Sequence, residues 1–224
     1  MRRFLDEMAS GCPVRAILTD DPMRAKMLVA HHLDNAQLVS EQRGMLGYFG
    51  TYEKIPLSVF SVGYGEASTL AYLKELAQNG VEQIAYIGEC ISGGQGPQLR
   101  DVVLAVSAKS TLKSYQSDGK LLRKARLSAS RLKIPVYCLP VSTRDTFWTE
   151  GQEVEQAKRN VAENEIIDFS SHALYRYALE QGLAAISILT VAEDLAKNQR
   201  IEDAERQSRF HNAARIAFDM FVAQ

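Results

Sequence analysis

Short apolar runs rich in branched residues alternate along this chain with longer stretches of helical period, and that alternation points to a mostly parallel or mixed sheet covered by helices. VRAILT (14–19) opens the series as a strand, and Asp21 follows as a cap with Pro22 at the first helical position of PMRAKMLVAHHL. MLGYFGTYEKIPLSVFSV (45–62) reads as two adjacent strands joined at Glu53 and Lys54, leading into the glycine turn GYGEAS and a helix through LAYLKELAQ. Further strands are QIAYIG, DVVLAVSA (101–108), PVYCLPVS and ISILTVAED (186–194). Further helices run through LLRKARLSASRL, through ALYRYALEQ (173–181) and from about residue 202 to 222. The stretch 149–165 is polar and reads as surface.

At 224 residues the chain suffices for one sizeable α/β domain, and 1–224 is expected to form it alone. A net charge of −1 provides no basic footprint, so a small molecule or a protein is the expected partner and nucleic acid is not. Cys12, Cys90 and Cys138 are odd in number and widely spaced, which suits reduced cytosolic thiols better than a disulfide framework or a metal site. No apolar run reaches bilayer length, and MRRFLDEMASG places acids too early for a secretory signal. The reading is a cytoplasmic protein with no membrane partner and no cofactor.

In open α/β sheets ligands gather beyond the carboxyl ends of strands. Those ends carry Asp20 and Asp21, Gly63 to Gly65, Gly88 and Glu89, Thr143 to Trp148, and Glu193 with Asp194, a set that is acidic and rich in glycine. Glu193 is a candidate acid where partial burial raises a carboxyl pKa, with a turn-capping Asp194 and a solvated Glu193 as the simpler account. TFW (146–148) offers an aromatic wall for a flat base, or plain core. Arg24 falls in the first turn of its helix, an unfavourable place for a cation unless it faces an anion. His31, His32, His172 and His211 show no nucleophile or metal constellation and are taken as structural.

In order, ILTDDPMRAK, RGMLGYFGTYEK, SVGYGEAS, LRDVVLAVSA, ILTVAEDL and AERQSRF resemble the nucleoside phosphorylase family, most closely its bacterial hexameric purine nucleoside phosphorylase branch. The resemblance implies a three-layer α/β/α sandwich around a mixed, partly barrel-like sheet, assembled as dimers or trimers of dimers. It implies phosphate attack at C1′ of a nucleoside, with inorganic phosphate as co-substrate. Arg24 matches a phosphate-binding arginine, and Arg43 matches the arginine that a neighbouring subunit lends to the same phosphate. Phe147 matches the aromatic on the base, and Arg206 the arginine that assists the catalytic acid. Tyr64 falls within the nucleoside pocket.

Other positions depart from that pattern. Tyr86 stands where the family has an arginine, Glu89 where it has a small hydroxyl residue, and Asp20 where a glycine N–H meets phosphate. The ribose-holding Glu-Met-Glu run appears as Asp168, Phe169 and Ser170, and the catalytic aspartate as Glu193. Two like charges about 4 Å apart repel by roughly 1 kcal/mol even in bulk water, so the new acids should weaken phosphate binding. Three functions stay open: a purine nucleoside phosphorylase-like enzyme with an altered, more acidic phosphate site, a nucleoside hydrolase using Asp20 or Glu89, and a non-catalytic binding or scaffold protein.

Overall fold

The computed structural model describes residues 11–111, 113–144, 161–202, 205 and 210–223. Strand β1 (Arg15–Thr19) leads to helix α1 (Pro22–His32). The expected cap forms: the Asp21 carboxylate accepts from the backbone N–H groups of Met23 at 2.6 Å and Arg24 at 3.0 Å, two of the donors a helix start leaves unpaired. Strands β2 (Asp34–Ser40), β3 (Gly47–Tyr52) and β4 (Ile55–Ser61) form an antiparallel meander beside it. Helix α2 (Glu66–Gln78) and strand β5 (Gln83–Ser92) follow.

Strands β6 (Val102–Ser110) and β7 (Lys113–Gln116) precede helix α3 (Gly119–Arg131), which Asp118 caps through the N–H groups of Lys120 and Leu121. The described chain continues through β8 (Val136–Thr143), β9 (Ile166–Asp168), α4 (Ser171–Gln181), β10 (Ala184–Asp194), β11 (Gln199–Arg200) and α5 (His211–Val222).

All eleven strands join one mixed sheet in the order β11-β10-β6-β8-β9-β5-β1-β4-β3-β2, with β7 on β6. Strand β5 also pairs in parallel with β10, so β10, β6, β8, β9 and β5 close into a ring and the sheet becomes partly barrel-like. Side chains alternate along each strand and build two cores. Ile17, Val59, Ala85, Leu104, Ile186 and Ile188 meet α1, α3 and α5. Ala16, Leu18, Phe60, Ile84, Val103 and Leu189 meet α2 and α4. The three-layer α/β/α expectation holds, and burying each large aliphatic side chain contributes about 1.5–3 kcal/mol.

Four strands escaped the sequence reading: β2 is mostly exposed at the sheet edge and needs no apolar pattern, and β7, β9 and β11, of four, three and two residues, are too short to show one. Helix α2 starts four residues before LAYLKELAQ because Gly65 ends the turn there. The described part of the last helix begins at His211.

Candidate active site

Asp20 lies one residue past the end of β1 and is buried. Arg24, on the first turn of α1, is buried to 2% exposure and aims its guanidinium back at it. Arg24 Nη1 ion-pairs with Asp20 Oδ1 and lies 3.4 Å from Thr19 Oγ1. The guanidinium also sits 3.9 Å from the centre of the Phe210 ring, a cation–π contact. The cation in this first turn therefore faces an anion, and that anion is a side chain of the same loop. Burial pushes the Asp20 carboxyl up to about 6, against the pull of Arg24 and with Glu89 and Asp21 adding to the rise.

Glu89 is buried on β5, and its Oε1 accepts a 2.9 Å hydrogen bond from the Tyr64 hydroxyl. Tyr64 is carried there by the turn between β4 and α2, where Gly63 (φ 73°) and Gly65 (φ 87°) adopt backbone angles that strain any other residue. Burial raises the Tyr64 phenol pKa, and the nearby Asp20 and Glu89 raise it further. Asp20, Arg24, Tyr64 and Glu89 thus form one electrostatic group with two acids and one cation.

Tyr86 is on the same face of β5 as Gly88, and its ring lies where a Cβ at residue 88 would be. The Tyr86 hydroxyl donates to Ser170 Oγ at 3.2 Å, and Thr69 Oγ1 on α2 is 3.0 Å from the same oxygen. Burial holds the Tyr86 phenol well above its ordinary pKa, so it stays a neutral donor.

Asp168, at the end of β9, is also buried and fully engaged. Its Oδ1 accepts from Thr143 Oγ1 at 2.5 Å, and its Oδ2 accepts from the N–H groups of Ser170 at 3.2 Å and Ser171 at 2.8 Å. It therefore caps the start of α4. Phe169, between them, packs with Ile91 and Ile167 in a small separate cluster.

Glu193 is half-buried on β10, opposite Arg200 of β11. The register against β5 slips between Val191 and Glu193, and such a bulge re-aims the side chains beside it. Asp194 follows the simpler expectation: it caps the next turn through the Lys197 N–H at 3.1 Å. Arg43 is exposed in the short 3-10 turn Gln42–Gly44, at φ 58°, a left-handed conformation uncommon for a side-chain-bearing residue. Phe147 and Arg206 lie outside the described residues. Beside Arg206, Glu205 is held by Arg100 through two hydrogen bonds of 2.5 and 2.8 Å.

Sequence reasoning gave no role to Thr69 or Glu66, placed Thr143 at a strand end without a partner, and took His172 as structural. Glu66 opens α2 and its carboxylate binds Nδ1 of His172, on the first turn of α4. The two are 106 positions apart, so no spacing in the chain could have joined them. Among the described residues no group of three or more His, Cys, Asp or Glu side chains could hold a metal ion. No described helix is long and apolar enough to cross a membrane.

The fold is an α/β protein whose mixed sheet closes into a ring of strands, with buried carboxylates, tyrosines and one arginine gathered at strand ends and helix starts. Residues 14–223 match the family model described as the Phosphorylase superfamily, and the chain belongs to that superfamily. It is similar to the DeoD-type purine nucleoside phosphorylase of Bacillus velezensis, 30% identical over 213 residues that span 90% of this chain and 91% of that protein. The corresponding protein of Brevibacillus brevis is 31% identical over 217 residues, covering 91% of each. The purine nucleoside phosphorylase of Toxoplasma gondii, solved in complex with immucillin-H, shares the fold with a TM-score of 0.83 at 18% identity, over 94% of this chain and 90% of that one.

Proposed function

We propose that this protein cleaves the N-glycosidic bond of a purine nucleoside in a pocket whose anion corner is already occupied by its own charges. The superfamily membership and the purine nucleoside phosphorylases among its relatives support the substrate class. The observation that carries the altered chemistry is the buried Asp20–Arg24 ion pair. Removing one partner of such a pair costs several kcal/mol, so Arg24 gives little of its charge to an incoming phosphate while Asp20 is ionised. Tyr86 adds no cation and Glu89 adds an acid, so phosphate is held weakly.

As the bond between C1′ and the base nitrogen breaks, the sugar becomes oxocarbenium-like and the base leaves with the electron pair. Buried carboxylates at the corner stabilise the positive sugar, and Glu193, assisted by Arg206, donates the proton that neutralises the leaving base. Tyr64, Phe147, Asp168, Phe169 and Ser170 frame the nucleoside. Arg43 reaches the anion corner of a neighbouring copy, within dimers or trimers of dimers.

A second reading has water as the acceptor, and the raised pKa of Asp20 favours it. A carboxylate titrating near 6 can take a proton from water as the oxygen attacks C1′. Incubating the protein with purine and pyrimidine nucleosides, with and without phosphate, tests both. Base release that needs high phosphate is expected under the first reading, and release regardless of phosphate under the second. Silence across the panel overturns both in favour of a non-catalytic binding protein.

A further inference from the structure

We infer that His172, oriented by Glu66, contacts the substrate and accepts a hydrogen bond from a ribose hydroxyl through Nε2; this rests on the nucleoside reading above. His172 is 8% exposed, and its Nε2 has no hydrogen-bond partner among the described residues. A buried ring nitrogen left unpaired costs about as much as a lost hydrogen bond, so such an atom marks a place where something else binds.

The rest of the ring is held firmly. The Glu66 carboxylate can only accept, so Nδ1 carries a proton, and in an imidazole with one ring proton that leaves Nε2 as an acceptor. The Tyr115 ring packs against the imidazole at 5.1 Å between centres, and the backbone N–H of His172 donates to Thr143 Oγ1 at 3.0 Å. This is a held acceptor with one open valence.

Its position follows from two helix starts. Glu66 and Thr69 are three residues apart on α2 and therefore neighbours on one face. Thr69 meets Ser170 and Glu66 meets His172, so the imidazole lies about one turn nearer the start of α2 than the Ser170 contact. That direction leads to the turn bearing Tyr64, whose hydroxyl reaches Glu89. His172 therefore stands two residues after Ser170, and its partner Glu66 two residues after Tyr64. The Ser170 hydroxyl is itself occupied by Tyr86 and Thr69.

The test uses an uncleavable, carbon-linked purine ribonucleoside and its 2′-deoxy and 3′-deoxy forms, titrated calorimetrically into wild type, His172→Phe and Glu66→Gln. His172→Phe should weaken the ribonucleoside by about tenfold and leave one deoxy form, the one lacking the contacted hydroxyl, unchanged within about twofold. Glu66→Gln keeps an oxygen for Nδ1–H but loses its charge, and should reduce the same discrimination about threefold; it carries the test if His172→Phe does not fold. Equal weakening of all three compounds, or none, overturns the assignment and leaves Nε2 to a water molecule. If wild type binds none of them, the nucleoside reading falls and takes this inference with it. Binding with discrimination unchanged in both variants removes the His172 assignment alone.

Discussion

The hydroxyl of Tyr86 donates a 3.2 Å hydrogen bond to the hydroxyl of Ser170, a residue 84 positions further along the chain. These are two positions at which the resemblance to nucleoside phosphorylases implies an arginine and a glutamate. In this chain the two neutral hydroxyls satisfy each other, so the two positions form one unit. Asp20 follows a different logic, because it adds a charge and places it against Arg24. Glu89 is an acid that the pair of Tyr86 and Ser170 does not balance.

Because Tyr86 and Ser170 are buried partners, Tyr86→Phe and Ser170→Ala should each cost about 1 kcal/mol. Their combination should cost about 0.5 kcal/mol or more less than the sum. Urea unfolding of the four proteins in the cycle measures the coupling, and strict additivity would show that the hydroxyls act independently.

Asp20→Asn mimics the protonated carboxyl and removes the charge that faces the buried Arg24 guanidinium. Phosphate should stabilise the variant by binding the released guanidinium, and should stabilise wild type far less. Thermal unfolding across a phosphate titration compares them. Equal phosphate stabilisation of both proteins contradicts the account of the corner.

Asp20 also sets a pH dependence whose sign runs opposite to that of a salt-bridged surface acid. Its folded pKa is raised from 3.8 to about 6, so between those values the folded chain holds a proton that the unfolded chain has lost. Stability from this group is full below about pH 4 and declines as pH rises toward 6, by an amount on the order of 2–3 kcal/mol. Denaturant unfolding from pH 4 to 7 should show that decline, and Asp20→Asn should remove it. Protonation at Asp20 also releases Arg24, so phosphate affinity should rise as pH falls through 6.

Asp168→Ala should cost about 3 kcal/mol. It removes the α4 cap and leaves the Thr143 hydroxyl and the N–H groups of Ser170 and Ser171 buried without their acceptor. Chemical denaturation supplies the number, and a loss under about 1 kcal/mol would mean that Asp168 does not act as a cap.

Much of the architecture was legible along the chain because local chemistry wrote it there. Asp21 before Pro22 announces a capped helix, and runs such as VRAILT and ISILTVAED can bury their side chains only as inner strands. Strand β2 was illegible because an exposed edge strand has no need of an apolar face. In the candidate site the acids at strand ends were visible as residues, but not their engagements. Asp20 could be seen to alter the charge of the corner, yet not that its carboxylate takes up Arg24. Asp168 could be seen as an acceptor, yet not that three donors of its own chain already occupy it.

The sequence by itself determined the layer order, the first helix cap and the position of every acid at a strand end, since each depends on residues within a few places of one another. Only the tertiary structure decided which of those groups meet: Tyr86 with Ser170, Tyr64 with Glu89, and Glu66 with His172. Hydrogen bonds and ion pairs act over about 3–4 Å of space, whatever the distance along the chain. The closing of β5 onto β10 and the docking of α2 beside α4 bring residues 25 to 106 positions apart within that range.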